Sequence, residues 1–252
     1  MKVAGCQWDI AWEDRAANFR MVDGLLDGVE QADLVVLPEM FGTGFSMNVP
    51  AIAEKEPSET EVFLRDLANR KGGAALGGLV RADADGWGRN ELIAFDSSGG
   101  ELTRYQKIRT FRYTRESDHF RSGTEIEVFP YRDWKVAPFI CYDLRFPELF
   151  RTAAGRGAEL FIVISSWPTA RVDHWITLLR ARAIENLAYV VGVNRCGSDP
   201  ANQYPGRSLI VDPLGKILAD GGEEAGVCEA TLDREILLAW RNEFPALQDI
   251  GR

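Results

Sequence analysis

Cys141 is the residue whose surroundings are most typical of a chemical role. It ends the apolar segment 136–140, and polar residues follow it before Pro147 and Glu148 begin a predicted helix. A buried strand that leads into a helix is a common way for α/β folds to present reactive groups at the carboxyl ends of strands. The amino end of a helix also favours the thiolate, which is the nucleophilic form of cysteine. These features predict a nucleophile at position 141, with a buried structural cysteine as the alternative.

A cysteine nucleophile needs a base for its proton and a donor where the oxyanion forms. Glu39 follows the apolar segment 34–37 and Pro38, where a charge is costly unless it has a partner or a role. Burial there would raise the pKa of its carboxyl group and make it a usable base. Lys107 ends the predicted strand LTRYQK and could supply a positive charge. The alternatives are an ordinary salt bridge for the glutamate and a solvated surface role for the lysine.

Other chemistries have weaker support in the sequence. A Cys–His pair is possible, but His119 is in a charged loop and His174 is at the start of a predicted helix. The remaining cysteines have small or apolar neighbours and are interpreted as structural: Cys6, Cys196 and Cys228. The cysteine spacing predicts neither a disulfide framework nor a zinc site. The sequence contains no HExxH, GxSxG or P-loop motif, and no GxGxxG follows a strand.

Alternating and helical hydrophobic patterns predict the elements that would hold these side chains. The predicted strands are 2–8, 34–37, 74–80, 92–95, 102–107, 126–129, 135–140, 160–165, 189–194, a hairpin over 208–218, and 227–232. The predicted helices are 13–30, 58–72, 147–155 and 173–188, the second of them beginning with a capping box. Residues 109–121 show no clear period and are predicted to form a loop with a helical turn.

An internal similarity suggests how the two halves are arranged. KVAGCQWD near the start and KVAPFICYD near the middle are alike, and each leads through a helix to a second strand, ADLVVLPE or AELFIVIS. Two such β-α-β units predict two sheets that face each other, with helices outside. Glu39 and Cys141 would then each lie at a strand end, at one edge.

Composition limits the class of protein. The chain has 252 residues, of which 46% are hydrophobic and 27% charged, as expected for a globular protein of one large or two small α/β domains. Its net charge of −9 argues against a nucleic-acid partner, which would need a basic face. The start of the chain has no signal-peptide pattern, and no 18-residue apolar run is present. We therefore expect a cytoplasmic protein without a membrane partner.

Three motifs resemble those of the nitrilase, or carbon–nitrogen hydrolase, superfamily. Glu39 in LVVLPEMF, Lys107 in RYQK and Cys141 in CYDLRFPE occur in the order and at spacings similar to those of that family. The resemblance covers nearly the whole chain, from KVAGCQWD to the GRSLIVDPLGKIL hairpin. It implies a four-layer α-β-β-α sandwich in a single domain, 1–252, that forms a homodimer through helices.

The same resemblance implies a role for each motif. Glu39 would be the general base, Lys107 would stabilise the oxyanion together with the backbone N–H of Tyr142, and Cys141 would attack the substrate. A further glutamate of the family is matched by Glu116 in RESDHFRSG, although the segment before it is shorter than in many relatives. The implied reaction needs only an amide substrate and water, with no metal or organic cofactor.

Within the family, PEMFGTGFSMN, SSWP, the run HWITLLRARAIENLAYVVGVNRCGSD and EFPALQD resemble the omega-amidases, which hydrolyse the terminal amide of 2-oxoglutaramate and 2-oxosuccinamate. A 2-oxo acid needs a cation in the pocket, and Arg145 is a candidate. Phe45, Phe111 and Trp167 are candidates for the pocket wall, with core packing as the alternative.

Three other interpretations stay open at this stage. The first is another carbon–nitrogen hydrolase, such as a nitrilase, a carbamoylase or an amidase of deaminated glutathione. The second is a catalytically idle relative that binds a partner, and the third is a Cys–His peptidase.

Overall fold

The structure, a computed structural model, describes residues 1–250 and contains two mixed six-stranded sheets. The first sheet is formed by β1 (Lys2–Gln7), β2 (Leu34–Val36), β3 (Ala74–Ala82), β4 (Gly88–Phe95), β5 (Glu101–Gln106) and β14 (Gly226–Thr231). Its strands lie in the order β14-β1-β2-β3-β4-β5, and β1, β2 and β3 are parallel. Glu39 and Lys107 follow two strands of this sheet.

The second sheet is formed by β6 (Phe129–Tyr131), β7 (Trp134–Ile140), β8 (Leu160–Ser165), β9 (Tyr189–Asn194), β12 (Leu209–Val211) and β13 (Ile217–Asp220). Its order is β13-β12-β9-β8-β7-β6, and β7, β8 and β9 are parallel. A small hairpin of β10 (Cys196–Ser198) and β11 (Gln203–Pro205) lies outside both sheets. Cys141 follows directly after β7.

The helices are α1 (Arg15–Leu26), α2 (Val49–Ile52), α3 (Glu59–Lys71), α4 (Pro147–Gly155), α5 (Val172–Asn186) and α6 (Arg234–Glu243). Helices α1 and α3 connect the parallel strands of the first sheet, and α4 and α5 connect those of the second. The two halves therefore repeat one β-α-β-α-β connectivity, as the internal similarity of the sequence predicts. None of the helices among the described residues is long and apolar enough to cross a bilayer.

The alternation of side chains along the strands explains the layering. In β2, Leu34 and Val36 face the core shared with the second sheet, whereas Val35 packs in the core formed with α1 and α3. On the other side, α4 and α5 cover the second sheet with residues such as Phe150 and Leu179. The order of layers is helix, sheet, sheet, helix, so the predicted four-layer α-β-β-α sandwich is confirmed.

Helix α3 shows how the local sequence sets the bounds of an element. The Ser58 side chain accepts a hydrogen bond from the Glu61 N–H at 3.2 Å, which caps the first turn as the capping box predicts. Gly72 ends the helix with φ of +68°, a left-handed conformation that glycine adopts without a Cβ clash.

Several elements differ from the sequence-based prediction, and the four-residue helix α2 is one that was not predicted. Strand 126–129 is wrong: β6 begins at Phe129, because its register is set by pairing with β7 across a turn in which Arg132 has φ of +53°. The β10–β11 hairpin was not predicted, because its strands are too short to show a period. Helix α6 was not predicted either, because its apolar residues form one continuous run, 236–240, and only Leu237 of the helix is buried.

Candidate active site

Glu39 lies in the loop after β2 and is completely buried. The chain turns sharply after it, since Met40 has φ of +47°. The loop packs against the backbone of β3 at Gly78, where an added Cβ would come within 2.4 Å of the Met40 nitrogen. The glycine at position 78 is therefore required for the loop to hold the carboxylate over the sheet.

Three donors hold the two oxygens of the Glu39 carboxylate. Oε1 accepts from the Lys107 ammonium at 2.9 Å and from the Asn90 side-chain amide at 2.7 Å. Oε2 accepts from the backbone N–H of Ser166 at 2.9 Å, so the carboxylate reaches across to the second sheet, at the end of β8. These bonds offset the cost of burying the charge.

Lys107 lies directly after β5 and is also completely buried. Its ammonium contacts both oxygens of Glu116, at 2.9 and 3.0 Å, in addition to Glu39. Burial alone would lower the pKa of this lysine, but the charges of Glu116 and Glu39 outweigh burial and raise its pKa well above the usual value. The side chain is therefore a fixed, permanent cation.

Asn90 on β4 connects the two carboxylates, and sequence reasoning missed it. Its side-chain NH₂ donates to Glu39 at 2.7 Å and to Glu116 at 3.1 Å, while its backbone carbonyl accepts from the Lys107 backbone N–H at 2.9 Å. The signal for Asn90 was weak, because the predicted strand 92–95 begins four residues after the observed start of β4 at Gly88 and so leaves Asn90 out. A polar residue in a strand that is buried on both faces would have been informative.

We expect Asn90→Ala to lower kcat/KM for an amide substrate by about 10- to 100-fold, because two buried carboxylates lose a shared donor and a hydrogen bond to a charged group contributes about 1.5–3 kcal/mol. Steady-state ammonia release measures this effect. The matched control is Asn186→Ala, whose side chain bonds within α5 and should affect thermal stability alone. An unchanged kcat/KM in Asn90→Ala would contradict this assignment.

Cys141 lies on the turn between β7 and the 3₁₀ segment Cys141–Arg145, with φ of +47° and 7% of its surface exposed. Burial raises the pKa of its thiol far above the usual value, the Glu39 charge raises it further, and Lys107 acts in the opposite direction. The thiol is therefore protonated at rest. The expected lowering by a helix amino end is wrong, because α4 begins only at Pro147, after a separate turn.

Asp143 joins the two segments that carry the lysine and the cysteine. Its buried carboxylate accepts from the Ile140 N–H at 3.0 Å, from the Tyr105 hydroxyl at 2.8 Å and from the Arg109 N–H at 2.8 Å. Burial raises its pKa to about 6, while these donors act in the opposite direction. The turn at Cys141 and the chain after Lys107 are thus held by one side chain.

A narrow cleft opens above Cys141. The sequence-predicted residues that line it with the cysteine are Phe45, Phe111, Tyr142, Arg145 and Trp167. Sequence reasoning missed six further lining residues, which come from four separate segments: Thr114, Ser166, Pro168, Arg171, Asn202 and Tyr204. Most of the lining surface is apolar, so a small organic molecule would be largely desolvated there.

The other thiols and the two histidines lie elsewhere. Cys6 and Cys228 are buried in the first sheet, and burial raises the pKa of each to about 12. His119 is exposed, and His174 is an exposed residue whose Nδ1 lies 3.1 Å from a guanidinium nitrogen of Arg145. Neither histidine lines the cleft within the described part of the chain, so the Cys–His interpretation has no geometric support.

Comparisons with known proteins show the family to which the chain belongs. Residues 2–242 match the carbon–nitrogen hydrolase family. The chain is 41% identical to the omega-amidase YafV of Yersinia enterocolitica, over 100% of this chain and 97% of that protein. It is 32% identical to the 2-oxoglutaramate amidase of Bacillus subtilis, over 98% and 96%. One similar solved structure is that of XC1258 from Xanthomonas campestris, a carbon–nitrogen hydrolase superfamily protein with an arsenic adduct in its active site. It superposes on this chain with a TM-score of 0.93 at 35% sequence identity, and the match covers 99% of this chain and 96% of XC1258.

Proposed function

The chain belongs to the carbon–nitrogen hydrolase family and hydrolyses amide carbon–nitrogen bonds, and we propose that it is an omega-amidase that works through a thioester on Cys141. The observation that carries the proposal is a buried carboxylate–ammonium pair held directly beside the cleft of the thiol. Glu39 binds the Lys107 ammonium and the backbone N–H of Ser166, which lines the cleft with Cys141. The charges of Glu39 and Lys107 also shift the pKa of the Cys141 thiol, in opposite directions. In this proposal, residues 1–252 act as one catalytic domain.

The proposed acylation begins with transfer of the thiol proton to Glu39 as the sulfur attacks the amide carbon. The proton must move, because the resting thiol is neutral. The oxygen becomes an oxyanion, which the Lys107 ammonium stabilises together with the backbone N–H of Tyr142. Removing one such donor typically costs about 10²–10³ in rate. Tyr142 lies in the first turn of a 3₁₀ segment, where N–H groups have no acceptor within the helix.

The intermediate then collapses, and the carbon–nitrogen bond breaks. An amide nitrogen is a poor leaving group as an anion, so protonated Glu39 returns its proton and the nitrogen departs as ammonia. A water molecule next gives a proton to Glu39 and attacks the thioester carbon. The carbon–sulfur bond then breaks, and Glu39 returns the proton to the departing sulfur, which releases the carboxylic acid and restores the thiol. Glu116 acts as a positioning residue, because its two contacts with Lys107 fix the ammonium between the carboxylates.

Recognition of a 2-oxo acid requires a cation near the thiol, and Arg145 suits this role. It lies one 3₁₀ turn after Cys141, lines the same cleft and places its guanidinium 4.8 Å from the centre of the Trp167 ring. Among residues 1–250 its side-chain hydrogen bond is to His174, and no carboxylate pairs with it. A substrate carboxylate would supply the missing anion.

Ammonia release from a panel of substrates tests the proposal. We expect kcat/KM for 2-oxoglutaramate and 2-oxosuccinamate to exceed that for nitriles, carbamoyl compounds and deaminated glutathione by at least about 100-fold, because the small cleft matches a short acid amide. Preference for a nitrile or a carbamoyl substrate would be compatible with the thioester mechanism but would overturn the omega-amidase assignment. Absence of turnover on every amide would overturn both.

The proposed enzyme is a cytoplasmic homodimer. Helix α6 leaves Ile236 and Leu238 exposed, Phe244 follows it, and a second subunit would cover these apolar side chains. All four cysteines are free, which is typical of proteins from a reducing compartment.

A further inference from the structure

The cleft above Cys141 is a cationic site without an acidic residue. Arg145 and Arg171 both line it, and none of the described residues that line it is Asp or Glu. The chain as a whole has a net charge of −9, so the positive charge of the cleft is opposite in sign to the charge of the whole chain. Two cations that share a cleft without a counter-ion indicate that the missing anion comes from the ligand.

Arg171 is held by aromatic side chains instead of a carboxylate. Its guanidinium carbon lies 5.4 Å from the centre of the Phe111 ring and 5.9 Å from that of Tyr113. Its backbone carbonyl accepts from the Trp167 indole N–H at 2.7 Å, which links it to the ring under Arg145. Stacking of this kind orients a guanidinium and leaves its N–H edge free for a planar anion.

The two guanidinium groups also act on each other. Burial lowers the pKa of Arg145, and the positive charge of Arg171 lowers it further. Both side chains line the same cleft, so a carboxylate bound there would offset this repulsion.

We propose that Arg171 is a specificity-determining residue, which binds the carboxylate of the substrate together with Arg145 and excludes substrates that carry an ammonium group beside that carboxylate. This inference rests on the proposed amidase function and adds to it a reason for selectivity. A 2-oxo acid presents a carboxylate and a carbonyl oxygen, and both can accept from guanidinium N–H groups. The corresponding 2-amino acid, glutamine, would place a cation against two cations in a cleft whose described lining contains no Asp or Glu.

The test compares three amides that share one scissile group: 2-oxoglutaramate, glutamine and uncharged pentanamide. We expect Arg171→Met to lower kcat/KM for 2-oxoglutaramate by about 10- to 100-fold, mainly through KM, because the contact is remote from the reacting carbon. Turnover of pentanamide should change by less than about 2-fold. Arg171→Lys, which keeps the charge, should recover part of the loss. Arg112→Met, an exposed arginine of the neighbouring loop, is the matched control for a change in overall charge.

Preference for the 2-oxo acid over glutamine should also fall by at least about 10-fold in Arg171→Met. An equal loss on pentanamide and 2-oxoglutaramate would overturn the inference, because it would show a structural role for Arg171. So would an unchanged ratio between 2-oxoglutaramate and glutamine.

A binding measurement separates this inference from the proposed function. Calorimetric titration of Cys141→Ala protein with 2-oxoglutarate, the dicarboxylate product, should give a Kd that Arg171→Met weakens by about 10-fold or more. If the native enzyme releases no ammonia but this dependence is found, the proposed function fails and the carboxylate site stands. If Kd does not depend on Arg171, the carboxylate site is wrong whatever the activity.

Discussion

Cys141→Ala is expected to abolish amide hydrolysis, with a fall in kcat of at least about 10⁴-fold, since no other group at the cleft can form the thioester. The substitution removes one sulfur atom from a side chain that is 7% exposed, and alanine tolerates the φ of +47° no worse than cysteine does. Thermal unfolding should therefore remain close to that of the native chain. Ammonia release and mass spectrometry of the trapped acyl-enzyme measure the effect.

The matched control for this variant is Cys228→Ala. Cys228 is a buried cysteine on β14, paired with Gly5 of β1, so its loss leaves a small cavity in the first sheet and costs about 1–2 kcal/mol of stability. Its turnover should be retained. Persistent activity in Cys141→Ala, or an acyl adduct on another cysteine, would remove Cys141 as the nucleophile.

Glu39→Gln is expected to lower kcat by about 10³-fold or more, because one side chain serves as base and acid in both half-reactions. The amide can keep its oxygen toward Lys107 and Asn90, but its NH₂ group then faces the Ser166 N–H. That clash of donors costs about 1–3 kcal/mol of stability, so unfolding must be measured with the kinetics. Glu159→Gln is the matched control, since Glu159 is a buried glutamate just before β8, at the end of the strand opposite to Ser166.

The pH dependence of thiol alkylation gives a second measurement on the same variant. Burial and the negative charge of Glu39 raise the pKa of the Cys141 thiol, so removal of that charge should lower it. The alkaline midpoint for reaction with iodoacetamide should therefore move to lower pH in Glu39→Gln, while turnover is lost. A midpoint at higher pH, or nearly normal turnover, would be incompatible with Glu39 as the base beside the sulfur.

The positions at which the candidate residues occur could be predicted from sequence because they follow strands. Apolar runs that end at Leu37 and Ile140, and an alternating segment that ends at Gln106, mark where the chain leaves a sheet, and local patterns show such points well. The similarity of the two halves also predicted the layering, since repeated patterns require repeated packing. Both features depend on residues close together in the chain.

Asn90 and Arg171 could not be found in this way. Asn90 matters because of two carboxylates that are 51 and 26 residues away, and Arg171 because of its stacking on Phe111 across the cleft. The thiol environment was misjudged for a related reason. A left-handed turn at Cys141 has no signature in a non-glycine sequence, and it separates the cysteine from the helix that follows.

Phe111 limits how the cleft could be enlarged by protein engineering. Its backbone N–H donates to Glu116 at 2.5 Å, and its ring lies 4.7 Å from that of Tyr142. A substitution that shifts Phe111 to admit bulkier amides would also displace Glu116, which binds Lys107. A broader range of substrates would therefore come with a slower rate of hydrolysis. Thr114 and Asn202 line the same opening without such a bond to the buried charges, and libraries for new substrates should begin there.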